Sequence, residues 1–268
     1  MAMSRELEAL VAAAAPLWAG EAEVVRSYFG SPARSRATDM AWLRRQCKKE
    51  FWDSIHIMDT DQGIFLGPLE MLREAFPRLE AGVDRHDMLE LAETLYAEFR
   101  HYVAFADVYD LLAGADGPRL DIHAARTDAE WPENAALGRL RKGHRERHGA
   151  IGARACRFTE GGYCTLFREG IARAGRGGVD DAIAAACREV YDDEAGHMMK
   201  GIVGLDVEGL SAADWALLTR LTVEQLAARI RMRNAQFGHP LTAARIAEIL
   251  AGRIEPLAFD FVAAEAAA

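Results

Sequence analysis

The sequence predicts an all-α fold, and three observations carry that prediction. Apolar residues recur at helical spacing along most of the chain, no stretch alternates with the period of two that a strand shows, and turn-forming clusters fall between the periodic segments. The periodicity places helices over residues 4–29, 38–59, 67–80, 84–113, 149–174, 179–204, 211–237 and 241–264. The first stops before GSPARS, and Gly67-Pro68 opens the third, where proline suits a first turn. AGADGP ends the fourth. AGRGGVDD parts 149–174 from 179–204 and leaves Asp180 or Asp181 near an N-cap. Residues 114–148 are expected to be irregular, and their basic run RLRKGHRERH (Arg139, Arg141, Lys142, Arg145, Arg147) to be a solvated loop; a phosphate-bearing or carrier-bound substrate is the functional alternative. With half of its 268 residues apolar, the chain can bury a sizeable core, and residues 1–268 are expected to form a single helical domain.

Bulk chemistry narrows the partners. A formal net charge of −9 gives no general electrostatic case for nucleic acid or an anionic membrane. The N-terminal stretch carries Glu6 and Glu8 and only a short apolar run, which fits neither a signal nor a transit peptide, and no segment has the roughly 18 apolar residues of a membrane span. Cys47, Cys156, Cys164 and Cys187 make no CxxC and sit in helical patterns, as expected of reduced cysteines in a cytoplasmic protein.

Two Glu-x-x-His pairs carry the chemistry: Glu98 with His101, and Glu194 with His197. Chance spacing of the Glu and His residues present gives only about 0.7 such pairs. Residues three apart share a helix face, so each pair can aim an oxygen and a nitrogen at one point. Glu98 and His101 lie on the side of Leu91, Leu95, Phe105 and Leu112, and the second pair lies among Ile183, Cys187, Val190, Met198 and Ile202. A carboxylate and an imidazole turned inward are costly unless compensated. A metal ion compensates both, and two pairs suit a dinuclear site.

Such a site calls for a further carboxylate on each of two other helices. Glu160 is set among Cys156, Tyr163, Cys164, Phe167 and Ile171 at helical spacing. Glu50 shares a face with Leu43, Cys47, Ser54 and Ile57. Asp53 and Glu70 are the alternative ligands, although Glu70 sits with Arg73 and Glu74 on the side opposite Leu69, Leu72, Phe76 and Leu79. The bland reading is surface pairs or satisfied core histidines.

This pattern, Glu50, EFRH at 98–101, Glu160 and DEAGH at 193–197, resembles the ferritin-like di-iron carboxylate superfamily over about residues 38–204. The resemblance implies a ferritin-like four-helix bundle with additional helices at both ends. It also implies two iron ions, or a Mn/Fe pair, held by Glu50, Glu98, His101, Glu160, Glu194 and His197. Asp193 would accept a hydrogen bond from a liganding histidine, His101 in particular; Ala97 stands at the matching position of the first pair, so His197 lacks the equivalent partner.

The activity expected from the resemblance is a non-haem di-iron oxidase or oxygenase, with O2 as co-substrate and a small organic substrate. No flavin or nicotinamide motif appears, so electrons would come from a separate reductase or ferredoxin. Helices beyond those of a compact storage subunit point away from iron storage. Gly161 and Gly162, each costing a helix about 1 kcal/mol relative to Ala, suggest distortion or space beside Glu160, and Tyr163, Phe167 and Met198 are candidate pocket or redox positions. The alternatives are a ferroxidase, peroxidase or Mn/Fe-cofactor protein of the same fold, and a non-catalytic helical binding or scaffold protein. The apolar stripe Leu217, Leu221, Leu226, Ile230 needs cover, and a homodimer is the expected assembly.

Overall fold

A computed structural model of the chain describes residues 4–52, 68–128, 131–159 and 163–260. Among them every regular element is helical: α1 (Arg5–Phe29), α2 (Arg36–Trp52), α3 (Pro68–Ala75), α4 (Arg85–Ala113), α5 (Ile122–Asp128), α6 (Pro132–Thr159), α7 (Thr165–Ile171), α8 (Gly178–Val203), α9 (Ala212–Gln236) and α10 (Ala243–Leu250). No helix among the described residues is long and apolar enough to cross a membrane. The chain divides into two compact units, a smaller one of Ser35–Glu130 and a larger one of Met1–Arg34 with Trp131–Ala268.

In the smaller unit α2 packs along α4, with α3 on α4 and α5 on α2. Trp42, Leu43 and Cys47 of α2 and Phe105 of α4 are fully buried, and the rings of Trp42 and Phe105 meet edge to face at 6.2 Å. The Trp52 indole N–H donates to the Ile122 carbonyl at 2.9 Å, and the Lys48 ammonium donates to the Arg126 carbonyl at 2.7 Å, which ties α5 to α2. The apolar face expected along 67–80 is not a buried one, because Leu69, Phe76 and Leu79 are all exposed. Glu70 does pair with Arg73, at 4.0 Å. The helix itself gives way at Phe76–Arg78 to a 3-10 turn with Pro77 in its first positions.

The larger unit is organised by α9, which lies against both α1 and α6, while α7 packs on α8. Gly20 lets α1 approach its neighbours: a Cβ there would stand 2.4 Å from Ile249 and 3.1 Å from Ile230. Two residues earlier, Trp18 stacks on Tyr163 at 4.6 Å and on Phe259 at 6.0 Å. Between α1 and α9 lies a buried ion triad. The Nε–H groups of Arg229 and Arg233 donate to the two carboxylate oxygens of Glu21 at 2.8 and 2.9 Å, and Arg233 also donates to Gln236. Burial alone would raise the Glu21 carboxyl; the pull of Arg229 and Arg233 outweighs it and holds the group below the usual carboxylate range.

Three expectations about helix limits are corrected. Residues 149–174 are not one helix: α6 ends at Thr159, and Tyr163 and Cys164 take left-handed φ values of 59° and 52° before α7 begins. Residues 114–148 are not one loop, since α5 and most of α6 lie there. The basic run is helical, and Arg141 turns inward to donate to the carbonyl and hydroxyl of Thr159, both at 2.9 Å. Only Gly149, with φ 49° and ψ −123°, interrupts α6. The final helix stops at Leu250 rather than 264, because Gly252 takes φ 76° and the chain leaves to pack Phe259 on Trp18.

Candidate metal centre

Glu50, Glu98 and His101 come together inside the smaller unit. Glu50 is in the last turn of α2, and Glu98 and His101 are three residues apart in the middle of α4, so the pairing of α2 with α4 makes the group. One ligand atom from each lies within 4.8 Å of the others. The Glu98 oxygen and His101 Nδ1 are 3.9 Å apart, too far for a hydrogen bond between them. His101 is 2% exposed and Glu50 8%, whereas the Glu98 side chain is 22% exposed. The face that carries them is the expected one, with Phe105 fully buried and Leu112 nearly so.

Gln46 is a participant that the sequence reading missed. It lies one turn before Glu50, is 1% exposed, and donates a side-chain N–H to Glu50 Oε1. That bond occupies one oxygen of Glu50. The signal was available in the sequence, since residues four apart share a helix face. Cys47 completes the surroundings. Burial first, then the charges of Glu50 and Asp110, push its thiol well above the usual range.

The remaining expected ligands lie elsewhere in the chain. Asp53 falls outside the described residues, as do Glu160, Gly161 and Gly162. Glu194 and His197 are on α8 in the larger unit, where Glu194 is half-buried and the side chain of His197 lies outside the described set. Burial and then the Glu194 carboxylate push the Cys164 thiol up to about 12. Asp193 is half-buried on the same helix, Asp192 is exposed, and Met198 is half-buried. Phe167 is buried on α7. The Tyr163 hydroxyl donates to the Ala258 carbonyl at 3.4 Å and accepts from the Asp260 N–H at 3.2 Å, so its polar end is satisfied by the C-terminal chain.

The donor chemistry of the smaller unit fits a divalent transition metal. Two carboxylates and an imidazole are oxygen and nitrogen donors of the kind that iron, manganese and zinc accept, at roughly 2.0–2.2 Å each. Three donor atoms each about 2.1 Å from one ion stand on average no more than about 3.6 Å apart, so a group within 4.8 Å closes on an ion by side-chain movements of up to about an ångström. Three protein donors leave positions open. Comparison with known protein families, characterised proteins and solved structures returns no match.

Proposed function

We propose that the chain is a metal-dependent oxidoreductase of the non-haem di-iron type, built on a ferritin-like bundle and acting with O2 on a small organic molecule. The observation that carries this reading is the convergence of Glu50, Glu98 and His101 in a mostly buried setting. Such a group is costly without a counter-charge, and a cation supplies it. Glu160, Glu194 and His197 repeat the same ligand types and, in this reading, serve the second ion. Iron held by such donors supplies electrons to O2 when bound.

The chain's own residues have distinct parts. Glu50 and Glu98 neutralise the cation charge, and Gln46 holds one Glu50 oxygen in place. His101 contributes a ring nitrogen. Trp42, Leu43, Cys47 and Phe105, buried on the same two helices, form an apolar core that lowers the local dielectric and strengthens charge interactions at His101 and Glu50.

The test is anaerobic titration with Fe(II), followed by metal analysis after gel filtration. About two ions per chain are expected. Fewer than about one would end the reading. Substituting Glu98→Gln or His101→Ala should lower the count, while Glu70→Gln, on an exposed pair with Arg73, should leave it unchanged.

A further inference from the structure

A cavity of about 580 Å³ in the larger unit opens between the end of α9, the start of α6 and α10. Its volume is that of an ordinary small-molecule site, roughly 300–1,000 Å³. Leu241, Ile246 and Leu250 give it an apolar side, and Glu133, Arg231 and His239 give it ionisable groups of both signs.

Two features set this cavity apart from a surface dent. Its wall is braced: the Asn234 side chain donates to the Leu241 carbonyl at 3.1 Å and accepts from the Leu241 N–H at 3.0 Å. The His239 N–H donates to the Asn234 carbonyl at 2.7 Å, and His239 is held at φ 62°, a left-handed conformation that is strained for a residue with a Cβ. In addition, its opposite charges do not meet. Among the described residues Arg231 and Glu133 form no ion pair, and the guanidinium's hydrogen bond is a long one, 3.4 Å, to the Ala227 carbonyl of its own helix.

A cavity with a guanidinium and a carboxylate that do not pair with each other, and an aliphatic side, is complementary to a molecule that carries the reverse. A guanidinium fork suits a carboxylate, and the Glu133 carboxylate suits a protonated amine. We propose that this cavity binds a small zwitterion, one carboxylate and one ammonium on an apolar body, which is the chemistry of an amino acid with a large apolar side chain. The inference goes beyond the metal reading and stands without it.

Calorimetric titration of the full chain with three probes tests it: phenylalanine, 3-phenylpropanoate, which lacks the amine, and phenethylamine, which lacks the carboxylate. Phenylalanine should bind, and each of the others should bind roughly ten- to a hundredfold more weakly, as expected for loss of one charged hydrogen-bonded group. Arg231→Gln should erase the advantage of phenylalanine over phenethylamine but keep its advantage over 3-phenylpropanoate. Glu133→Gln should do the reverse. Arg231 is exposed and Glu133 partly so, and each variant keeps one discrimination as an internal sign of an intact fold. No binding of phenylalanine at millimolar concentration, equal affinity for all three probes, or no effect of either substitution would overturn the proposal.

Discussion

Replacing Gln46 by Leu removes one hydrogen-bond donor and keeps most of the volume. Gln46 is 1% exposed and its partner Glu50 8%, so water does not replace the lost N–H. A buried hydrogen bond to a charged acceptor is worth about 1.5–3 kcal/mol. At about 1.4 kcal/mol per factor of ten, that corresponds to a roughly ten- to hundredfold change in affinity for any ion that needs Glu50 held in place, the range found when a ligand's supporting partner is lost. Competition titration of Co(II) or Fe(II) against a chelator measures it, and the visible bands of bound Co(II) report whether the coordination sphere has changed. The metal-free protein should lose about 1–3 kcal/mol in urea unfolding as well, because Glu50 is left as a poorly satisfied buried carboxylate. Unchanged metal affinity in Gln46→Leu, beside a clear loss in Glu98→Gln, would refute the idea that Gln46 positions Glu50.

Burial elsewhere leads to four further predictions. Glu21→Gln should cost about 3–5 kcal/mol in chemical denaturation, since it leaves Arg229 and Arg233 buried without their counter-charge; a loss below about 1 kcal/mol would show that the triad is not holding α1 to α9. The same triad sets an acid limit: folding lowers the Glu21 carboxyl, so its stabilisation is present above the ordinary value of 4.5 and disappears as pH falls through the lower folded value. An acid-unfolding profile that is the same in Glu21→Gln would contradict this. Burial lowers His144 more than its Glu224 contact raises it, so the unfolded chain takes up the proton first, and stability contributed by neutral His144 should decline as pH drops below its ordinary 6.5; His144→Gln should flatten that slope. Gly20→Ala should lower the thermal midpoint and cost about 1–3 kcal/mol, because Ile249 and Ile230 must yield to the new methyl group.

The long periodic helices were legible in the sequence. α1, α4, α8 and α9 lie within a residue or two of their expected limits, because apolar residues recur at helical spacing along most of each and a glycine stands within two residues of each C-terminal end. α6 was not legible. Its first half presents Arg139, Lys142, Arg145 and Arg147 in a run interrupted by Gly138 and Gly143, which hides a helix whose inward side is made of polar groups such as Arg141 and His144. The break before α7 was invisible for a different reason, since nothing about Tyr163 and Cys164 as residue types announces left-handed backbone. At the candidate site, Glu50, Glu98 and His101 could be named because an acid or imidazole in an apolar stripe stands out. Gln46 did not, because a neutral amide four residues from a carboxylate is common on any helix.

The larger unit is interrupted by the smaller one, and this shapes how the chain must assemble as it is made. Glu21 leaves the ribosome first, and its partner Arg229 follows 208 residues later. At roughly 5–20 residues per second, that is a wait of about 10–40 s. Throughout that interval α1 has its buried side, Leu7, Leu10, Val11, Trp18 and Val25, but neither α9 nor α10 to cover it. All of Ser35–Glu130 emerges in the meantime and can condense on α2 and α4. α1 is therefore secured only once α9 has followed it, and nascent chains stalled before Ala212 should be the species that chaperones hold and proteases find.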